Sequence, residues 1–247
     1  MQRRTIAHLA LAGATSLVAR EAAAQQGVPA GYPERSIRMV VCFPPGGGTD
    51  IAGRVIAELL GAALDKPIII ENRPGAGGNI GTAAVARSPK DGYTLLFASS
   101  THVINPSLYP NVPYDAVRDF EPVSLVASTP AVLVTHPSVP ARNLAELIAL
   151  IRAEPGMFYG SPGAGTAQHL AGELLRIREN LDFVHVPFSG GGPSVTATMS
   201  GQVPTLFAAL PAVLPYIASG ALRPIAVTTI RRSSFAPEVP TFDESGV

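Results

Sequence analysis

The residues best placed to do chemistry lie in VVCFPPGGGTDIAGRVIAELL, residues 40–60, where an apolar run meets two prolines, three glycines and a helical pattern. A glycine loop between a strand and a helix invites a phosphate, because N–H groups at a helix N-terminus face an anion and the helix dipole favours it. The residue types argue otherwise. A loop of the G-x-x-x-x-G-K-[ST] kind puts a lysine on the phosphates. Gly46-Gly47-Gly48-Thr49-Asp50 has no lysine, and Asp50 stands where a phosphate would be repelled. The dinucleotide pattern G-x-G-x-x-G fails as well: Gly46 and Gly48 would demand glycine at Ile51, and in RPGAGGNIG, Gly75 and Gly77 would demand it at Ile80. Two readings remain. One is a site where loop amides hold a small anion, glycine allowing close backbone approach; the other is a tight turn that binds nothing.

A second stretch, YGSPGAGTAQHLAGELL at residues 159–175, repeats the strand, glycine loop and helix. Ser161, Gly163, Gly165 and Thr166 offer amides and hydroxyls there, and two such loops on facing lobes could hold the two ends of one small diacid. FASSTH at residues 97–102 adds the hydroxyls of Ser99, Ser100 and Thr101; each could equally be a cap or turn residue.

Catalytic constellations are poor. There is no G-x-S-x-G elbow, no H-E-x-x-H and no evident pair of carboxylates. The histidines are scattered at 8, 102, 136, 169 and 185. His169 starts a predicted helix beside the second loop, where packing competes with ligand contact; His185, in FVHVPF, reads as a satisfied strand residue. Asp50 reads as a helix cap before a general base. Cys42 is the only cysteine, so it forms no intramolecular disulfide and no cysteine metal cluster; its apolar neighbours make it a core residue. No metal site and no cofactor are expected.

The elements that must position these loops follow from the hydrophobic pattern. Strands are predicted at 37–43, 67–71, 93–98, 132–135, 158–160, 183–186, 205–208 and 223–228, and helices at 49–63, 80–87, 144–153, 167–178, 194–200 and 211–218. This alternation predicts an α/β fold with parallel strands and crossover helices, whose ligands sit at the carboxyl ends of strands. Thr49 or Asp50 is expected to cap the first helix, with Ile51, Val55, Ile56, Leu59 and Leu60 as its apolar side. Thr166 is expected to cap the helix at 167–178, with Leu170, Leu174, Leu175 and Ile177 as its apolar side. The stretch FEPVSLVASTPAV marks a crossing between a first lobe, 25–128, and a second, 129–229, with 230–247 leaving the second as a charged tail.

Zero formal net charge gives no electrostatic footprint for nucleic acid or an anionic membrane surface. The first 24 residues read as an export signal, with Arg3-Arg4, a modest apolar stretch and Ala22-Ala23-Ala24 at a small-residue cleavage site. Arg3-Arg4 admits a twin-arginine route beside an ordinary secretory one, and an exported protein is expected.

Taken together, RMVVCFPPGGGTDIAGRVIAELL, IIIENRPGAGGNIGTAAVARSPKDGYTLLFAS, YGSPGAGTAQHLAGELL, HVPFSGGGPSVTATMSGQVPTLF and LRPIAVTTIRRSSFAPEVPTFDESG resemble the periplasmic solute-binding proteins of tripartite tricarboxylate transporters, including the Bordetella-uptake-gene group. The matching stretches run in order over almost all of residues 37–246. The resemblance implies a Venus-flytrap fold, periplasmic-binding-protein-like, with two α/β lobes closing over a small carboxylate-bearing acid. It implies ligand contacts at Phe43, Pro44, Gly46, Gly47, Gly48, Thr49 and Asp50 in the first loop, and at Ser161, Gly163, Gly165, Thr166 and His169 in the second. Ser99, Ser100 and Ala208 would shape the rest of the pocket. The glycine loop is then expected to hold a carboxylate. Family members often carry an acidic or polar residue near Ala208, and the apolar Ala208-Ala209 pair weakens any carry-over of an amino-acid ligand.

The implied role is capture of a mono-, di- or tricarboxylate for membrane permease subunits, without enzymatic activity. The rival readings are an α/β hydrolase or isomerase acting on a carboxylate, and a sensor-linked binding module. The resemblance also implies that residues 230–247 head back toward the first lobe and that the rest of that lobe is missing, leaving an apolar strip exposed near the helix at 49–63.

Overall fold

Eight strands and seven α-helices alternate along the described part of the chain. The computed structural model describes residues 31–247, so the expected export signal lies outside the described residues. Ser36–Val247 forms one compact unit. Its first sheet, sheet I, has the order β2-β1-β3, built from β1 (Ile37–Val41), β2 (Ile68–Asn72) and β3 (Thr94–Phe97). Both pairings are parallel, with α1 (Gly48–Leu64) and α2 (Asn79–Ala86) as crossovers. The central strand β1 is almost fully buried, whereas β2 and β3 are half-buried.

Sheet II has the order β6-β5-β7-β4-β8, from β4 (Ala131–Thr135), β5 (Met157–Ser161), β6 (Phe183–Pro187), β7 (Thr205–Ala209) and β8 (Arg223–Val227). The pairs β5/β6 and β5/β7 are parallel, but β4 runs antiparallel to both β7 and β8. The expectation of parallel strands therefore fails at one strand, the first to enter this sheet. One apolar cluster joins Leu133, Phe207 and Ile225 to α4 (Leu144–Ala153) and α5 (Ala167–Arg178). The other joins Val132, Leu206 and Ala208 to α6 (Gly191–Met199) and α7 (Leu210–Ala218). Strand periodicity sorts neighbouring residues to opposite faces, which makes sheet II a filled sandwich.

The tail is fastened to sheet II. Thr241 bridges Val227, Phe242 stacks on Phe207 with ring centroids 6.1 Å apart, and Ala236 and Val239 are buried in the second cluster.

Two helices turn apolar residues outward and small ones to the sheet. On α1, Ile51, Val55 and Leu59 are 38, 52 and 63% exposed, and the buried side is Gly53 and Ala57. A Cβ at Gly53 would lie 3.2 Å from Val41 Cγ2, so the small residues let the helix sit close on the strands. On α5, Leu170, Leu174 and Ile177 are exposed and only Leu175 is buried. There a Cβ at Gly172 would meet the Tyr159 ring at 2.3 Å.

One helix lies where a loop was expected. FASSTH becomes a loop only as far as Ser100, and α3 (Thr101–Leu108) begins at Thr101. Pro106 inside it, unfavourable for a helix interior, hides it from pattern reading. Buried Thr101 and Asn105 tie it in place: Asn105 Nδ2 donates to Gly77 O at 3.0 Å and to Asn79 Oδ1 at 2.7 Å, which also accepts from Tyr114 Oη at 2.8 Å.

Candidate functional site

The first glycine loop leaves β1 and feeds straight into α1. The helix starts at Gly48 with Gly47 as its N-cap and no side-chain cap, so neither Thr49 nor Asp50 caps it. Asp50 sits in the first turn and reaches back. Its Oδ2 accepts from Gly46 N–H at 3.0 Å and from Arg54 Nε at 2.9 Å, and its Oδ1 accepts from Asn72 Nδ2 at 2.8 Å. Burial pushes the Asp50 carboxyl up, but the bonds from Arg54, Asn72 and Gly46 outweigh it and hold the group below the usual carboxylate range. Asp50 is thus a fully engaged brace for the loop, unsuited to act as a general base. Gly46 has φ +83, which a side chain would strain.

Gly47, Gly48, Thr49 and Asp50 lie ahead of the first helical bond, from Ile51 N to Gly47 O at 3.0 Å. Their N–H groups have no intrahelical acceptor, and no side chain takes one up at the cap. Phe43 is buried beneath the loop, its carbonyl accepting from Asn72 Nδ2 at 2.9 Å.

The second loop is built differently. Thr166 caps α5 as expected, accepting from His169 N–H at 3.2 Å. Thr166 Oγ1 donates to Gly163 O at 2.7 Å, and Gly163 N–H donates to Ser161 Oγ at 3.2 Å. Gly165 N–H donates to His169 Nδ1 at 3.1 Å. The groups expected to face an anion are therefore spent inside the loop. Ala167 and Gln168 remain as amides ahead of the first helical bond, from Leu170 N to Thr166 O at 3.0 Å. Behind the loop, His169 stacks on His185 with ring centroids 4.0 Å apart, and His185 Nε2 lies 2.7 Å from Ser161 Oγ.

The Ser161–His185 pair was invisible in the sequence, its members being 24 residues apart. Ser161 is fully buried. Burial drives the His185 imidazole down to about 4, and it lowers His169 as well. Nearby, Tyr159 Oη donates to Glu173 at 2.6 Å; burial pushes the phenol up, and that hydrogen bond adds to it.

The third loop offers less than expected. Ser99 Oγ and Thr101 Oγ1 bond each other at 2.9 Å, and Ser100 is exposed.

The two sheets meet along a seam of glycines, most of which pattern reading did not single out. A Cβ at Gly190 would lie 2.5 Å from Pro44 Cδ, one at Gly191 3.0 Å from Gly47 Cα, and one at Gly192 3.1 Å from Pro45 O. Farther along, a Cβ at Gly77 would lie 3.2 Å from Ala164 O, and one at Gly165 2.8 Å from Asn105 Oδ1. That Oδ1 is buried and has no hydrogen-bond partner. Both glycine loops are therefore brought to one seam. Ala208 is not: its side chain belongs to the apolar cluster with Val132 and Leu206. The next residue, Ala209, faces the loop instead, its Cβ 2.6 Å from where one at Gly48 would be. The period of two along a strand decides which alanine is presented.

Cys42 is buried with its Sγ 3.4 Å from Thr82 Oγ1, and burial raises its thiol. His102 Nε2 meets Ala116 O at 2.8 Å and stacks on Tyr114, so it holds α3 and the following segment together. Among the described residues, no group of three or more His, Cys, Asp or Glu could hold a metal ion.

Comparison with known proteins agrees with this architecture. The family model described as "Tripartite tricarboxylate transporter family receptor" matches residues 52–247. Protein BugT of Bordetella pertussis is 43% identical over 218 residues, which are 87% of this chain and 67% of BugT. The R. palustris protein Rpa4515, solved with adipate, superposes with a TM-score of 0.85 at 35% identity, covering 87% of this chain and 73% of that one. MatC from Rhodopseudomonas palustris, solved with bound malate, gives a TM-score of 0.80 at 30% identity, covering 87% and 74%. With a glycine loop leading into a helix on each of two apposed sheets, the fold of periplasmic binding proteins and a match over most of its length, this chain belongs to the tripartite tricarboxylate transporter receptor family.

Proposed function

We propose that this protein is a periplasmic, non-enzymatic receptor that captures a small carboxylate-bearing acid in the cleft between its two lobes and hands it to membrane permease subunits. The observation that carries the reading is the N-terminus of α1. Gly47, Gly48, Thr49 and Asp50 present adjacent amides with no side-chain cap, at the seam where the lobes meet. A carboxylate placed there gains charge-assisted hydrogen bonds of about 1.5–3 kcal/mol each, together with the helix dipole. The adipate and malate bound by two similar proteins support a carboxylate as the ligand. The Asp50 carboxylate does not repel it, because Gly46, Arg54 and Asn72 already occupy that charge.

The Ser161–His185 pair has the form of a nucleophile and its base, but its surroundings favour a structural role. Ser161 has no exposed surface, and its hydroxyl oxygen accepts the Gly163 N–H. Isothermal titration against adipate, malate and a series of C3 to C6 acids tests the proposal. Saturable micromolar binding, worth roughly 8 kcal/mol, is the expected result. No binding of any acid, with turnover of a carboxylic ester that is lost in Ser161→Ala, would overturn it.

A further inference from the structure

We propose that His169 is a positioning residue that sets the second glycine loop only while its ring is neutral, so that the receptor loosens its hold on an acid as the surroundings acidify. The proposal rests on the carboxylate reading above for its ligand, but its core is geometric. Gly165 N–H can only donate, so the His169 Nδ1 it meets at 3.1 Å must carry a lone pair. A proton there would set donor against donor and release Gly165 from its turn. Gly165 has little slack, since it holds a left-handed φ of +80 and packs against Asn105 and Leu108 across the seam. The same imidazole stacks on His185 at 4.0 Å, and two charged rings at that distance would repel each other. His185 in turn bonds Ser161 at the base of the loop. One ring pair therefore braces both ends of Ser161–Gly165.

The charged and titratable groups around the pair are few. Glu173, on the same helix as His169, favours protonation of both rings, but it is held by Tyr159 Oη from β5 and by Arg176 Nε at 2.8 Å. β6 contributes His185 itself, and β7 has no titratable residue. Burial is the larger influence and keeps both imidazoles below the ordinary histidine range. A group held neutral in the braced state takes up more protons when the brace opens. Binding is therefore full above the ordinary histidine value and declines as pH falls toward the lowered His169 value.

The test is a nitrogen-15 titration of the ligand-free protein from pH 7.5 to 4.5, together with adipate affinities at both ends. The Gly165 amide should move with the same midpoint as the His169 ring, below the ordinary histidine range. In His169→Asn, whose Oδ1 can accept from Gly165 but does not titrate, that movement should vanish. Adipate should bind this variant a few-fold more weakly at pH 7.5. Wild-type affinity should then fall several-fold more than the variant's on acidification, since protonation of adipate itself acts equally on both. A Gly165 amide that stays still while His169 titrates would overturn the proposal in the wild-type chain alone. An equal fall in affinity for the two proteins, or a rise for the wild type, would overturn it too. If neither adipate nor malate binds at any pH while the amide still follows the ring, the carboxylate reading fails and the brace stands.

Discussion

The two glycine loops look like copies in sequence and are opposites in structure. After β1, the loop reaches its helix with glycine at the cap and leaves four consecutive amides unclaimed by any side chain. After β5, the loop reaches its helix with Thr166 at the cap, and Ser161, Thr166 and His169 consume the amides or turn their hydroxyls inward. The first is a cradle whose shape is maintained from outside, by Asp50, Arg54 and Asn72. The second is a pre-formed wedge whose polar groups hold one another. Similar glycine spacing therefore says that the backbone must turn sharply, and the neighbouring Ser, Thr and His decide whether its N–H groups stay available.

Breaking the seam should have the largest effect. Gly190→Val places a Cβ against the Pro44 ring, and such overpacking costs up to about 3 kcal/mol, or roughly a hundredfold in affinity. The clash lies between the lobes, so the melting temperature without ligand should move little; calorimetry and a thermal melt separate the two. Gly47→Pro comes next. It deletes one amide from the open cradle and should weaken acid binding by about 2 kcal/mol.

Asp50→Asn removes the partner of Arg54 and should lower folding stability by about 1–2 kcal/mol in urea unfolding. Because the folded Asp50 carboxyl is held below its usual value, its contribution is full above about pH 4 and is lost as pH falls through the folded value. A urea series taken down in pH should therefore show the wild type losing its advantage over Asp50→Asn in acid. Thr166→Ala should cost about 1 kcal/mol of stability as a lost cap. The smallest effect is expected for Ser99→Ala, under about 1 kcal/mol in affinity, because its hydroxyl is already paired with Thr101.

Much of the fold was legible because the strands are short apolar runs set off by Gly and Pro, and all eight were anticipated to within one or two residues. The α3 helix was not, since Pro106 contradicts a helical pattern and its buried Asn105 network is a tertiary cause. The outward stripes of α1 and α5 have a related tertiary cause. Period identifies an amphipathic helix, but Gly53 and Gly172 let the opposite, small-residue face approach the sheet. At the site, the first loop was readable from composition. The choice of Ala209 over Ala208 needed strand parity and register, and Gly190, Gly191 and Gly192 became meaningful only once Pro44, Gly47 and Pro45 were seen against them.

The contrast between the open cradle and the self-satisfied wedge is tested most directly by following backbone amide shifts while adipate is titrated into the protein at neutral pH. The account predicts large downfield proton shifts, as charge-assisted bonds form, at Gly47, Gly48, Thr49 or Asp50. It predicts small ones at Gly163 and Gly165, whose N–H groups keep Ser161 and His169 as partners. Large shifts at Gly163 and Gly165 with a silent Gly47–Asp50 segment would contradict it.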